Sequence, residues 1–205
     1  MTCPNAAPTS SNRDEVPHHS PHSVKRAVGF SYNRAAILKN LEAKFRLIDL
    51  VEAERRAAAI GYTRRAILEQ RDTFFRVANG KLKLREERGS AVLIFYLRIE
   101  SGPLMLSNYE IVQVAEPART LRMLEDALGT VAVVEKVRTL MMRDNVRLHL
   151  DRVARLGLFG EIEAVIADRD DPERSRGAVD EIVAALGVTP GDLIDVSYFE
   201  MLAAR

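Results

Sequence analysis

The chain has 205 residues, 47% of them hydrophobic, and its 30 Lys and Arg nearly cancel 29 Asp and Glu to leave a formal net charge of +1. That length suits one well-cored domain better than two small ones, and the charge balance excludes a general electrostatic pull toward nucleic acid or a membrane surface. A single cysteine, Cys3, excludes an intrachain disulfide; no apolar run approaches the roughly 20 residues of a membrane helix, and the polar N-terminus lacks a secretory core, so a cytoplasmic protein is expected.

Residues 1–30 hold Pro4, Pro8, Pro17 and Pro21 among Ser and Asn, with almost no apolar side chains. Such a segment buries too little to offset its ordering entropy and reads as a disordered tail, followed by one domain over 31–205. Its His18, His19 and His22 could bind metal, but three histidines in a tail are more often inert. A strand is expected over 40–48. A helix follows, opened by Asp49 and Glu52 at capping-box spacing and closed at Gly61. Strands are expected at 64–70, 72–78, 81–87, 91–99 and 108–114, with Asn79-Gly80 as a hairpin signal.

Pro117 then starts a helix with Leu121, Leu124 and Leu128 on one face, ending at Gly129. Strands over 131–143 and 146–151 are joined at Asp144-Asn145, and another spans 160–167. Asp171-Pro172 begins a helix carrying Val179, Ile182, Val183 and Leu186 up to Gly187, and a short helical stretch covers Tyr198 to Ala204. Hairpins imply antiparallel pairing. The class is α+β, with a large sheet or barrel and peripheral helices.

The informative pattern is which strand faces are charged, since residues two apart share a side. Asn40, Glu42, Lys44 and Arg46 lie opposite Leu41, Ala43, Phe45 and Leu47. Lys81, Lys83 and Arg85 share a face, as do Lys136 and Arg138, then Arg147, His149 and Asp151, then Glu161 and Glu163. One solvated sheet face would produce the same alternation. Against that stand the sorting of these faces by sign and their lack of Thr, Ser and Gln. Turned inward, crowded cations favour a multiply charged anion, and the carboxylates among them call for a hard divalent cation between carboxylate and phosphate. Polyphosphate with metal is the economical reading.

Several blocks resemble the CYTH family, the triphosphate-tunnel metalloenzymes, and most closely its class IV adenylate cyclase branch. They are Asn40-Leu41-Glu42-Ala43-Lys44; Gln70-Arg71-Asp72-Thr73-Phe74-Phe75 with Lys81-Leu82-Lys83-Leu84-Arg85-Glu86; Glu135-Lys136-Val137-Arg138; His149-Leu150-Asp151 with Gly160-Glu161-Ile162-Glu163; and Ser197-Tyr198. Together they span about 38–202. The resemblance implies an eight-stranded antiparallel β-barrel, the triphosphate tunnel. It implies phosphate contacts from Lys44, Lys83, Arg85, Lys136 and Arg138, with Arg98 and Arg147 in addition. It implies metal ligation (Mg²⁺ or Mn²⁺) by Glu42, Glu161 and Glu163, with Asp151 as a further metal or orienting group, and a catalytic role for Glu42 and Lys44. Asn40 stands where the family signature has its first Glu, and a neutral amide there weakens a direct metal site.

Three functions follow from the resemblance. They are an adenylate cyclase giving cyclic AMP and pyrophosphate, a hydrolase of tripolyphosphate, thiamine triphosphate or nucleoside triphosphate, and a non-catalytic polyphosphate or nucleotide binder. The partner is a triphosphate substrate, ATP or another organic or inorganic triphosphate, with neither nucleic acid nor membrane; a homodimer is the prior. Phe74, Phe75, Tyr96 and Tyr109 could stack on a base or fill the core, and Met141-Met142 reads as core filling. Asp72 and Glu86 read as structural partners of neighbouring arginines.

Overall fold

A computed structural model of the chain describes residues 38–98, 105–166 and 172–204, with the side chains of 38–41, 98, 105–108, 165–166 and 172–175 left outside that description. The N-terminal segment with Cys3, His18, His19 and His22, and the side chains of Asn40 and Arg98, therefore lie outside the described residues.

Strand β1 (Leu38–Arg46) leads into helix α1 (Leu50–Ala59), whose exposed amides at Val51 and Glu52 donate to Asp49 Oδ1 at 2.8 and 3.1 Å. Glu52 does not complete a capping box; its carboxylate turns to Arg55 and Arg56. Gly61, at φ +92°, ends the helix. Strand β2 (Thr63–Phe75) is one continuous strand of 13 residues where two were expected. Alternation carries through Arg71, so Gln70, Asp72 and Phe74 stay on one buried face.

The expected strand end at 76–78 is instead part of the connection to β3 (Lys81–Glu87). There Gly80 takes φ +65° with its backbone against β4, where an added Cβ would lie 2.7 Å from the Tyr96 carbonyl oxygen. Next come β4 (Ser90–Arg98), β5 (Met105–Gln113), α2 (Pro117–Leu128), β6 (Thr130–Arg143) and β7 (Val146–Val153). Asp144, at φ +52°, and Asn145 form the two-residue β6–β7 turn as expected. Strand β8 (Gly157–Ile166), α3 (Pro172–Leu186), a 3₁₀ turn (Pro190–Asp192), a two-residue strand β9 (Leu193–Ile194) and α4 (Tyr198–Ala203) complete the order. Strand β9 had no periodicity to announce it.

The nine strands form one antiparallel sheet in the order β5-β4-β3-β2-β6-β7-β8-β1-β9. In addition, β5 pairs with β1, from Leu38 opposite Tyr109 to Glu42 opposite Met105. The first eight strands of the order are therefore joined from end to end. No helix among the described residues is long and apolar enough to cross a membrane.

Helices α1 and α3 cover one side of β1, β7 and β8, packing Ala53, Ala57, Val179, Ile182 and Leu186 against Ala43, Phe45, Leu148, Leu150 and Ile162. Gly160 is required there because a Cβ would sit 2.1 Å from the Phe45 ring. Leu121, Leu124 and Leu128 of α2 close a separate cluster over Phe75, Leu84 and Ala91.

The opposite side of the sheet is charged, yet its centre is buried. On β1, Lys44 is only 5% exposed beside Ala43 at 2% and Phe45 at 0%. On β7, Asp151 is fully buried, as are Leu148 and Leu150. A solvated charged face is thus ruled out for these strands. On β6 the arrangement departs from expectation in one respect. Lys136 and Arg138 point inward, but the other face, with Glu135 and Val137, meets solvent and not a helix.

Candidate functional site

Antiparallel register brings the charged faces together. Arg85 lies directly opposite Asp72 across β2–β3, and Lys83 opposite Phe74. On the other side of β2, Lys136 lies opposite Gln70. Arg138 faces Asp151 across β6–β7, His149 faces Glu161 across β7–β8, and Lys44 faces Glu161 across β8–β1. Side chains at opposed or diagonal positions of neighbouring strands reach one another, which is how residues distant in sequence meet here.

The result is a cavity of about 80 Å³ lined by Lys44, Lys83, Arg85, Lys136 and Arg138, with Asp72 and Glu161 as the carboxylates. Five cations face two carboxylates. Phe74, Tyr96, Val134, Ser197, Tyr198 and Phe199 complete the wall.

Three carboxylates organise the cations. Asp72 Oδ1 accepts from Arg85 Nε at 2.6 Å, and Oδ2 accepts from Arg85 Nη2 at 2.7 Å and from Lys83 and Lys136 Nζ at 3.0 Å each. Arg138 grips Asp151 through Nε at 2.7 Å and Nη2 at 2.6 Å, and the same Nη2 donates to Glu161 Oε2 at 2.7 Å. Lys44 Nζ donates to Glu161 Oε1 at 2.6 Å and lies 4.7 Å from the Tyr198 ring centroid. His149, almost fully buried, stands 3.5 Å from Glu161 through Nδ1, which meets no ideal hydrogen-bond partner among the described residues.

These contacts set the charge states. Burial pushes the Asp72 carboxyl up, but Arg85, Lys136 and Lys83 outweigh it and hold the group well below the usual carboxylate range. Glu161 is likewise held well below, burial being overcome by Lys44, His149 and Arg138. Burial and the neighbouring Arg85 lower Lys83 to about 7 even with Asp72 opposing them. Burial, with Arg85 and Arg138, lowers Lys136 to about 8 against the pull of Asp72. A buried cluster holding more cations than anions favours an anionic ligand, because each added negative charge relieves both repulsion and poor solvation.

Of the expected phosphate contacts, Lys44, Lys83, Arg85, Lys136 and Arg138 converge on this cavity. Arg147 does not; it donates to Glu163 at 3.1 Å away from the lining. The four expected metal ligands are not assembled. Among the described residues no group of three or more acidic, His or Cys side chains is placed to hold a metal. Arg138 and Tyr198 occupy Asp151, Lys44 and Arg138 occupy Glu161, and Arg147 sits on Glu163. Glu42 lies opposite Glu163 in register.

Sequence reasoning read Asp72 as a structural partner of neighbouring arginines, as its contacts with Arg85 show, but missed its contacts with Lys83 and Lys136. Their signal was the shared face with Gln70 and Phe74 beside the basic strand. The same reading placed Lys81 on the basic face but missed its contacts with Ser197 Oγ at 3.1 Å and Glu200 Oε1 at 2.8 Å, which link β3 to α4. A second cavity, about 280 Å³, adjoins the first through shared Phe74 and Phe199 and is lined by Phe75, Val77 and Val131 with Arg76 and Lys81.

Comparison with known proteins fits this geometry. The CYTH domain model matches residues 38–198. A Methanocaldococcus jannaschii protein named "Putative adenylate cyclase MJ0240" is 26% identical over 132 residues, covering 63% of this chain and 75% of that protein. The solved PH1012 protein of Pyrococcus horikoshii superposes with a TM-score of 0.70 at 23% identity, covering 78% of this chain and 98% of the other. A Vibrio parahaemolyticus structure titled a "putative adenylate cyclase" gives 0.63 at 19% identity, covering 80% and 97%. At those identities the two structures speak to fold alone.

Proposed function

The chain belongs to the CYTH domain family, and on that footing we propose that it is a metal-dependent triphosphate-processing enzyme that converts ATP to cyclic AMP and pyrophosphate. The observation that carries this reading is the buried cavity in which five cations outnumber two carboxylates. The β1–β5 pairing supports reading the eight joined strands as a barrel with the cavity as its tunnel. Residues 1–30 lie before the matched region and are proposed to be dispensable for this activity.

Lys83, Arg85, Lys136 and Arg138 bind the phosphate chain by charge-assisted hydrogen bonds, each contributing about 1.5–3 kcal/mol. In the cyclase reaction the ribose 3′-oxygen forms a bond to the α-phosphorus and the bond from that phosphorus to the β-bridging oxygen breaks. The hydroxyl proton passes to solvent, and pyrophosphate leaves with its charge held by the same cations. Lys44, tied to Glu161 beside Tyr198, is placed to orient the reacting phosphate.

The donor set does not fit a protein-only metal cage. It does fit a hard cation that takes one or two carboxylates and completes its shell with phosphate oxygens, as Mg²⁺ or Mn²⁺ does. Glu42 and Glu163, opposite each other in register, would hold it, with Glu161 and Asp151 as further candidates. When bound, such an ion neutralises phosphate charge and favours ionisation of the attacking hydroxyl.

The aromatic second cavity supports an organic triphosphate over inorganic tripolyphosphate. Phe74 and Phe199, with centroids 4.9 Å apart at 32°, stand where the two cavities meet and offer apolar surface to a base. Product analysis with ATP and Mn²⁺ or Mg²⁺ tests the proposal: cyclic AMP and pyrophosphate in equal amounts are expected. ADP with orthophosphate would replace the cyclase with a hydrolase.

A further inference from the structure

Asp72 is an acceptor-only group on the wall of a cavity read as an anion site, so its charge opposes the ligand. Its surroundings give it another task. It lies on β2 opposite Arg85, and Lys83 and Lys136 are each displaced two positions along β2 in opposite directions, one on each neighbouring strand. One carboxylate thereby receives four hydrogen bonds from three cations, at 2.6 to 3.0 Å. It is 1% exposed, so bulk solvent screens those contacts little.

We propose that Asp72 is a positioning residue of the phosphate site: it holds Lys83, Arg85 and Lys136 side by side as cations and does not itself bind the ligand. The proposal rests on the polyphosphate reading of the cavity. Lys83 has around it Arg85 on its own strand, Asp72 and the Phe74 ring on β2, the Tyr96 ring on β4, and Lys136 across on β6. Lys136 has Asp72 on β2, Arg85 on β3, Arg138 on its own strand, Asp151 on β7 and the Tyr198 ring on α4. Asp72 accepts a hydrogen bond from each of the two lysines. Burial already draws Lys83 to about 7 and Lys136 to about 8 with Asp72 in place. Removing its charge lowers both further, so the ammonium groups that bind phosphate would be lost near neutral pH.

The test is metal-free tripolyphosphate binding, by calorimetry across pH 5 to 9, for the full chain and Asp72→Asn. At pH 5 the Asn variant is expected to bind as well as wild type or better, because the lysines remain charged and a repelling carboxylate has gone. At pH 8 it should bind at least tenfold more weakly, its alkaline limb shifted down by about one pH unit. Asp72→Glu, which keeps the charge, should keep the limb near the wild-type position. Uniform weakening at every pH would mean that Asp72 is merely structural. Uniform strengthening would mean that it is merely a repelling charge. Either overturns the proposal.

Should the Asn variant fail to fold, Asp72→Ser, smaller and uncharged, takes its place in the same binding series: a loss confined to alkaline pH supports the proposal, and uniform weakening or strengthening at every pH overturns it. Wild type binding no tripolyphosphate at any pH would instead overturn the polyphosphate reading, and the proposal with it.

Discussion

The phenol of Tyr198 donates to Asp151 Oδ2 at 3.0 Å, fastening the C-terminal helix to the carboxylate that also anchors Arg138. Burial first, and then Asp151 and Glu161, raise the phenol well above its ordinary range, so it remains a donor at any working pH. Tyr198→Phe removes one of the two hydrogen bonds that Asp151 Oδ2 accepts, Arg138 keeping the other. A loss of about 1–3 kcal/mol in urea unfolding is expected; no measurable loss would show that the contact adds nothing.

The basic and acidic walls should fail differently. Lys83→Ala or Arg85→Ala is expected to weaken metal-free tripolyphosphate binding about ten- to a hundredfold, the equivalent of one charge-assisted hydrogen bond. Glu161→Gln releases Lys44 and part of Arg138 from a competing carboxylate, so metal-free binding should hold or tighten while metal-dependent turnover is lost. Calorimetry paired with a turnover assay separates the two classes. Equal, metal-independent loss in both would falsify this division of labour.

The ligand-free protein should become more stable as pH rises through the neutral range. Lys83 and Lys136 have folded values near 7 and 8 against an ordinary 10.5. Between those limits the unfolded chain binds more protons than the folded one, and stability therefore increases with pH. Saturating tripolyphosphate, which keeps both lysines charged, should flatten that rise. The depressed carboxylates act at the other end: stability from Asp72 and Glu161 is present above about pH 4 and is lost as acid takes the protein through their lower folded values. Urea midpoints from pH 3 to 10, with and without ligand, check both limbs.

Much of this was legible before any coordinates. The period-2 sorting of Lys44, Lys83, Lys136 and Arg138 named the cavity cations, because a strand fixes which face each residue takes. The direction of that face was not legible, since a solvated sheet and a charged interior give the same alternation. Burial of Lys44 beside Phe45 decides it. Asp72 was underread because its role depends on cross-strand register with β3 and β6 together, which no local pattern states. The two-residue strand β9 is too short to have a period. Of the expected carboxylates, Asp151, Glu161 and Glu163 are instead taken up by arginine or lysine partners.

Phe199 tests the organic half of the substrate. Phe199→Ala should weaken ATP binding about tenfold through lost stacking and apolar contact while leaving tripolyphosphate affinity within about twofold. Equal effects on both ligands would place Phe199 in the phosphate site or in the fold, and the second cavity would lose its assigned role.

The central claim is that a buried surplus of cations makes this cavity a triphosphate site, and thermal unfolding with tripolyphosphate tests it most directly. At a ligand concentration a hundredfold above the dissociation constant, stabilisation of about 2.7 kcal/mol is expected, seen as a melting temperature several degrees higher. Arg85→Ala should lose most of that shift. A wild-type melting temperature unmoved by millimolar tripolyphosphate, with and without Mg²⁺, would contradict the account.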